Sequence, residues 1–166
     1  MIIVGRELEA LVLNGSIQAP MEAVQPSHID VTLGGVVLLE EEPSDSLVID
    51  LAKKEKVSYI QHPLPINLQP SDFALFALAE KITLPLDVTA EFFLDSGPAR
   101  SCVEHSCATL LIPGWSGYLT LEIKNMSKYH ALKFSEGMSI GKIVFYKHGM
   151  TRGYEGRFQN QEEIKA

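Results

Sequence analysis

Nine prolines, at positions 20, 26, 43, 63, 65, 70, 85, 98 and 113, cut the first 113 residues into segments that leave no room for a long helix. With Gly34-Gly35 they bound apolar runs such as VVLLE, SLVIDL, ALFALAEKITL and TAEFFL. Short strands at near-regular spacing, with turn residues between them, predict a mainly β domain, a barrel or jelly roll. The exception is the start. Over Arg6 to Leu13 the residues Leu8, Leu11 and Val12 recur at helical spacing, and Asn14-Gly15 supplies a stop, which predicts one short N-terminal helix.

The clearest strand lies between a Pro-Gly-Trp turn at 113–115 and a Glu-Gly-Met reversal at 136–138. In it Leu119, Leu121 and Ile123 point one way, while Tyr118, Thr120, Glu122 and Lys124 point the other. Glu122 is thereby held on a rigid element, where a general base is best placed. A Glu on the polar face of a strand also has plainer uses, in solvent or paired with a lysine.

At 166 residues and 46% hydrophobic content the chain has the material for one domain with its own core. A net charge of −7 argues against a surface for nucleic-acid polymers, which needs a clustered basic face. Small phosphorylated ligands need only a few local cations. No apolar run approaches the roughly 18 residues of a membrane span, and the N-terminus lacks the pattern of a secretory signal, so the expected setting is cytoplasmic. The only cysteines, Cys102 and Cys107, flank His105 in CVEHSC. A zinc deaminase site needs a His-x-Glu and a separate Cys-x-x-Cys, both giving ligands, so one cluster predicts free thiols and no zinc. Residues 148–166 form a polar tail, too poor in apolar residues to be a core element: either disordered or folded over something, such as a neighbouring subunit.

Six stretches stand in a telling order: RELEALVLNGSIQAP at the start, VQPSHIDVTLGG with Asp30 in the acidic place, EKITLPLDVTAEFFLDSGPARSC, PGWSGYLTLEIKN, GMSIGKIVFYK and, in the tail, YEGRFQNQ. In that order they resemble the dCTP deaminases of the dUTPase superfamily. The resemblance spans almost the whole chain. It implies a distorted dUTPase-like β-barrel over residues 1–166, a homotrimer that binds deoxynucleotides at subunit interfaces, and a tail that closes over the site. It also implies zinc-independent hydrolysis of deoxycytidine triphosphate to deoxyuridine triphosphate and ammonia, with Mg2+ held through the substrate phosphates.

On that resemblance, Glu122 stands at the position of the general base and acid, taking a proton from water and returning it to N3 and the leaving amine. Arg100 and Ser96 match the loop residues that orient the water or a phosphate. Ala108 corresponds to the strand edge that hydrogen-bonds the pyrimidine, Gln161 to the tail amide that reads the base, and Tyr154 and Arg157 to phosphate contacts. Singly, each has a simpler use: Arg100 as partner to Glu91 or Asp95, Ser96 as a turn cap, Gln161 as a solvated tail residue.

The chain departs from the family pattern in four places. Asp95 replaces a leading Arg or Lys, and Gly97 replaces a second hydroxyl, which sets repulsion against a triphosphate where attraction is usual. The stretch Ser101 to Glu104 is one residue short. Ile112 stands where an acidic residue precedes the proline, which disfavours an added dUTP diphosphohydrolase activity, because isoleucine accepts no proton. Arg157 and Phe158 replace Lys and Tyr, keeping the charge and losing a hydroxyl. Asp95 and Gly97 leave open a trimer of the same fold that binds nucleotide for regulation without turning it over.

Overall fold

The computed structural model describes residues 1–43, 48–106 and 108–164. One antiparallel sheet dominates, built from β1 (Ile29–Glu40), β2 (Tyr59–Pro63), β4 (Phe73–Thr83), β5 (Val88–Leu94), β6 (Val103–His105), β7 (Leu110–Leu111), β8 (Ser116–Asn125) and β10 (Ser139–Lys147). Its order is β6-β8-β4-β1-β10-β5-β7, with β2 also on β1, so the strands curl into a half-barrel with β6 and β7 at its two edges. A separate pair, β3 (Ile66–Leu68) with β9 (Leu132–Phe134), packs against it through Phe134, whose ring centroid lies 4.8 Å from that of Phe76. The expected mainly β architecture is what the chain adopts.

Alternation explains the core. Ile29, Val31, Leu33 and Val37 of β1, Leu121 and Ile123 of β8, and Ile143 and Phe145 of β10 are buried while the residues between them are more open, and β4 is buried on both faces from Ala74 to Leu78. The predicted N-terminal helix is α1 (Arg6–Leu13); its Leu8 and Leu11 join the core, and Asn14 ends it by accepting the Ser16 amide through Oδ1.

The long β1 reaches three neighbours by bending. It pairs with β10 over Ile29–Thr32 and with β2 and β4 further on, and bulges interrupt the register on both sides. A bulge frees amides from the ladder, and Glu80, itself beside a bulge in β4, supplies the acceptor: its carboxylate takes Thr32 N at 3.2 and 3.0 Å and Thr32 Oγ at 2.8 Å.

Two expectations need revision. Of SLVIDL, residues 46 and 47 lie outside those described; in the described part 48–50 are irregular and Leu51–Lys53 is a turn of 3-10 helix capped by the Asp50 carboxylate, rather than the strand expected. Val48 and Leu51 are exposed, so this part of the run is not packed as a core strand would be. The loop DSGPAR is partly helical, as α2 (Ser96–Arg100).

The tail lies on its own chain's body. Pro113 O accepts the Tyr154 amide, Phe158 O accepts the Trp115 indole N–H at 2.8 Å, and Gln159 reaches both Gly114 O and the Ser116 amide. It then forms a parallel bridge from Gln161 to Gly117 at the start of β8. Gly117 has φ +149, and a Cβ there would sit 2.6 Å from Gln161 O, so only glycine admits the tail.

Candidate active site

Glu122 sits where four strands place one residue each in a row: Gln61 of β2, Leu38 of β1, Leu75 of β4 and Glu122 of β8 are directly opposite one another in turn. Directly opposed residues share a face, so the row runs across the non-core side of the sheet. Leu75 offers no hydrogen-bond donor to the carboxylate. On the other flank stands β6, where His105 Nε2 lies 3.4 Å from Glu122 Oε2. The His105 side chain is 5% exposed and that of Glu122 27%, and among the described residues the buried Oε2 makes no hydrogen bond. One oxygen is therefore enclosed beside an imidazole while the side chain keeps an opening to solvent.

Two groups join this site that the motif reading did not assign. His105 is one; its ring also meets Phe92 edge-on, at 5.0 Å between centroids. The signal was CVEHSC, weighed only as a metal motif. Tyr59 is the other. Its hydroxyl pKa is raised above the ordinary 10.0, first by burial, then by the negative charges of Glu40 and Glu122. Nothing in the sequence ties position 59 to position 122; only the strand order does.

The loop residues stand apart from Glu122 within one chain. Ser96 opens α2 and Arg100 closes it, both exposed, and among the described residues Arg100 makes no ion pair, with Glu91 and Asp95 included. Asp95 is engaged inside its own chain: Lys142 Nζ is 2.7 Å from Oδ1, and Ser139 Oγ donates to Oδ2. The pair largely cancels the charge reversal at this position. Ala108 is exposed in the link from β6 to β7, at the open edge of the half-barrel. Cys102 is exposed and Cys107 lies outside the described residues.

The tail residues are differently placed. Gln161 is buried, and its side-chain amide donates to Tyr118 O at 3.0 Å and Thr120 Oγ at 2.7 Å, on the β8 face that carries Glu122 two residues on. Tyr154 turns its hydroxyl back to accept the Phe158 amide, and Arg157 lies exposed over the Phe158 ring.

This arrangement has relatives. The profile of a family described as dCTP deaminase-like matches residues 2–148. The chain belongs to that family. Among similar dCTP deaminase-like proteins, one from Kocuria rhizophila, named "dCTP deaminase, dUMP-forming", is 30% identical over 158 residues, covering 83% of this chain and 77% of its own. Another of the same name from Streptomyces avermitilis is 31% identical over 150 residues, with 83% and 78% covered. The crystal structure of 2'-deoxycytidine 5'-triphosphate deaminase from Agrobacterium tumefaciens superposes with a TM-score of 0.69 at 19% identity. That match takes in 89% of this chain and 48% of the other, so this dCTP deaminase-like chain spans about half the length of the crystallised one and shares its fold.

Among the described residues no three His, Cys, Asp or Glu side chains converge to hold a metal ion. No helix among the described residues is long and apolar enough to cross a membrane.

Proposed function

We propose that the protein hydrolytically deaminates a deoxycytidine nucleotide, dCTP in the first instance, to the deoxyuridine nucleotide and ammonia. The observation that carries this reading is Glu122: a carboxylate on a mid-sheet strand, one oxygen enclosed beside His105, the side chain still open to solvent. In the reaction, Glu122 takes a proton as water adds to C4 of the cytosine, passes it to N3, then serves the departing amine. Water supplies the oxygen gained at C4, one hydrogen to N3 and one to the amine, which leaves as ammonia, so no redox partner is needed.

Arg100 and Ser96 serve the site from a neighbouring protomer of a homotrimer. Among the described residues Arg100 is exposed and makes no ion pair, and no guanidinium or lysine is paired with Glu122; an interface between copies satisfies both. Exposed apolar residues at the β5–β7 edge, Phe93 at 40%, Leu110 at 63% and Ile112 at 43%, favour such association. Ala108 at the open edge offers backbone to the pyrimidine ring, and Tyr154, Arg157 and Gln161 belong to the closing tail. Magnesium enters with the triphosphate and is no part of the proton path. A cytoplasmic nucleotide pool is the setting this reaction calls for.

A second reading follows from the relatives' names, which denote formation of dUMP. Cleaving the phosphoanhydride needs its own proton acceptor, and Ile112 supplies none. Ammonia and pyrophosphate release from dCMP, dCDP and dCTP, in wild type and Glu122→Gln, separate the possibilities. Ammonia alone, abolished in the variant, supports the deaminase; added pyrophosphate supports the dUMP-forming reading. Nucleotide binding without product would leave a regulatory trimer and overturn the catalytic proposal.

A further inference from the structure

We infer that His105 is the positioning residue for Glu122, a role that rests on the deaminase reading above. A histidine that merely fills a core needs neither a polar partner nor a place beside a carboxylate, and burying an imidazole costs desolvation that leucine or phenylalanine would not incur. Here the ring is packed edge-on against Phe92, and its Nε2 is turned to the enclosed oxygen of Glu122 at 3.4 Å. The backbones are tied at the same point: His105 is opposite Ile123, and the Ser106 amide donates to Glu122 O at 2.9 Å. Pairing opposite Ile123 sets His105 in register on the other face from Glu122, so its ring reaches the carboxylate around the end of the edge strand β6.

Among the described residues, the neighbours give Glu122 no other donor of this kind. Across β4 it faces Leu75, and Tyr59 approaches from β2 with its hydroxyl held protonated by burial and nearby charge. Lys124 shares its face two residues on, and Glu104 lies opposite Lys124 on β6. A carboxylate that must accept a proton from water and return it to a ring nitrogen has to keep one orientation through both transfers. His105 engages Oε2 and so fixes which part of the carboxylate remains for water.

The test uses the full-length protein and two substitutions. His105→Phe keeps a ring against Phe92 and removes the donor; His105→Gln restores a donor without an imidazole. The 3.4 Å approach is not a hydrogen bond in this structure; it tightens to one when substrate closes the site, and losing it in His105→Phe corresponds to about 10- to 100-fold in kcat, with KM nearly unchanged. His105→Gln recovers most of that loss. A merely structural role would instead lower thermal stability and leave kcat per folded molecule intact in both variants, which overturns the inference. The nitrogen-15 resonance of His105 Nε2 at fixed pH gives an activity-free readout: it moves in Glu122→Gln if the pair exists, and an unmoved resonance overturns it. Should wild type release no ammonia from any deoxycytidine nucleotide, the deaminase reading falls, and this resonance alone decides whether the pair forms.

Discussion

Replacing Gly117 with alanine sets two costs against each other. If the backbone stays, alanine must hold φ +149, which costs on the order of 1–3 kcal/mol, and its Cβ must also lie 2.6–2.8 Å from the O, Cβ and N of Gln161. Those are backbone atoms and the Cβ the backbone fixes, so no rotamer change relieves them. If the tail lifts away, four hydrogen bonds between Gln161 and β8 are lost: Tyr118 N to Gln161 O, Gln161 N to Ser116 O, and the side-chain amide to Tyr118 O and Thr120 Oγ. At about 0.5–1.5 kcal/mol net each they sum to roughly 2–6 kcal/mol. Freeing even a few residues returns ordering entropy on the order of 1–2 kcal/mol apiece. Release is the cheaper course, so the tail detaches and the half-barrel stays folded. Trp115, the sole tryptophan, reports this directly, because its indole N–H bonds to Phe158 O in the tail. Its emission should shift to the red, and the Tyr118 and Gln161 amides should exchange faster, with far-UV circular dichroism little changed. Unchanged emission and unchanged exchange in a folded Gly117→Ala protein would refute the account of how the tail is held.

Two further outcomes follow from buried polar groups. Asn125 is fully buried; its amide donates to Leu68 O and His130 O, and its oxygen accepts the Ser127 amide, so Asn125→Leu strands three backbone groups and should cost about 3 kcal/mol or more in a denaturant titration. Burial raises the Glu80 carboxyl above its ordinary 4.5, outweighing the hydrogen bonds from Thr32 that lower it. The folded chain therefore holds that proton more tightly than the unfolded one. The stability it contributes is complete below the ordinary value and is lost as pH climbs through the raised one. Relative to Glu80→Gln, wild type should lose melting temperature as pH rises above the ordinary 4.5, and a flat difference would contradict the shift.

Local pattern carried much of the fold. The spacing of Leu8 and Leu11 and the stop at Asn14 mark α1 to the residue, and the alternation from Tyr118 to Lys124 assigns each side chain of β8 to its face. SLVIDL misled because an apolar run is a strand only where a neighbour can pair with it, which no local pattern encodes. For the site, the motif picked out Glu122 but not its company. His105 and Tyr59 reach it through strand order, the first from an adjacent edge strand and the second from three strands away. Arg100, assigned with Glu122 by motif, forms no ion pair with it within one chain, and Asp95, a repulsive charge on paper, is met by Lys142 from the neighbouring strand.

What the amino-acid order by itself determined is periodicity: which residues turn inward, where the chain must reverse, and which carboxylate is mounted on a rigid wall. Those properties arise from interactions a few residues long. Which groups face that carboxylate, and what the tail rests on, were decided only when strands distant in sequence paired, because contacts between them depend on sheet order and register and on no spacing along the chain.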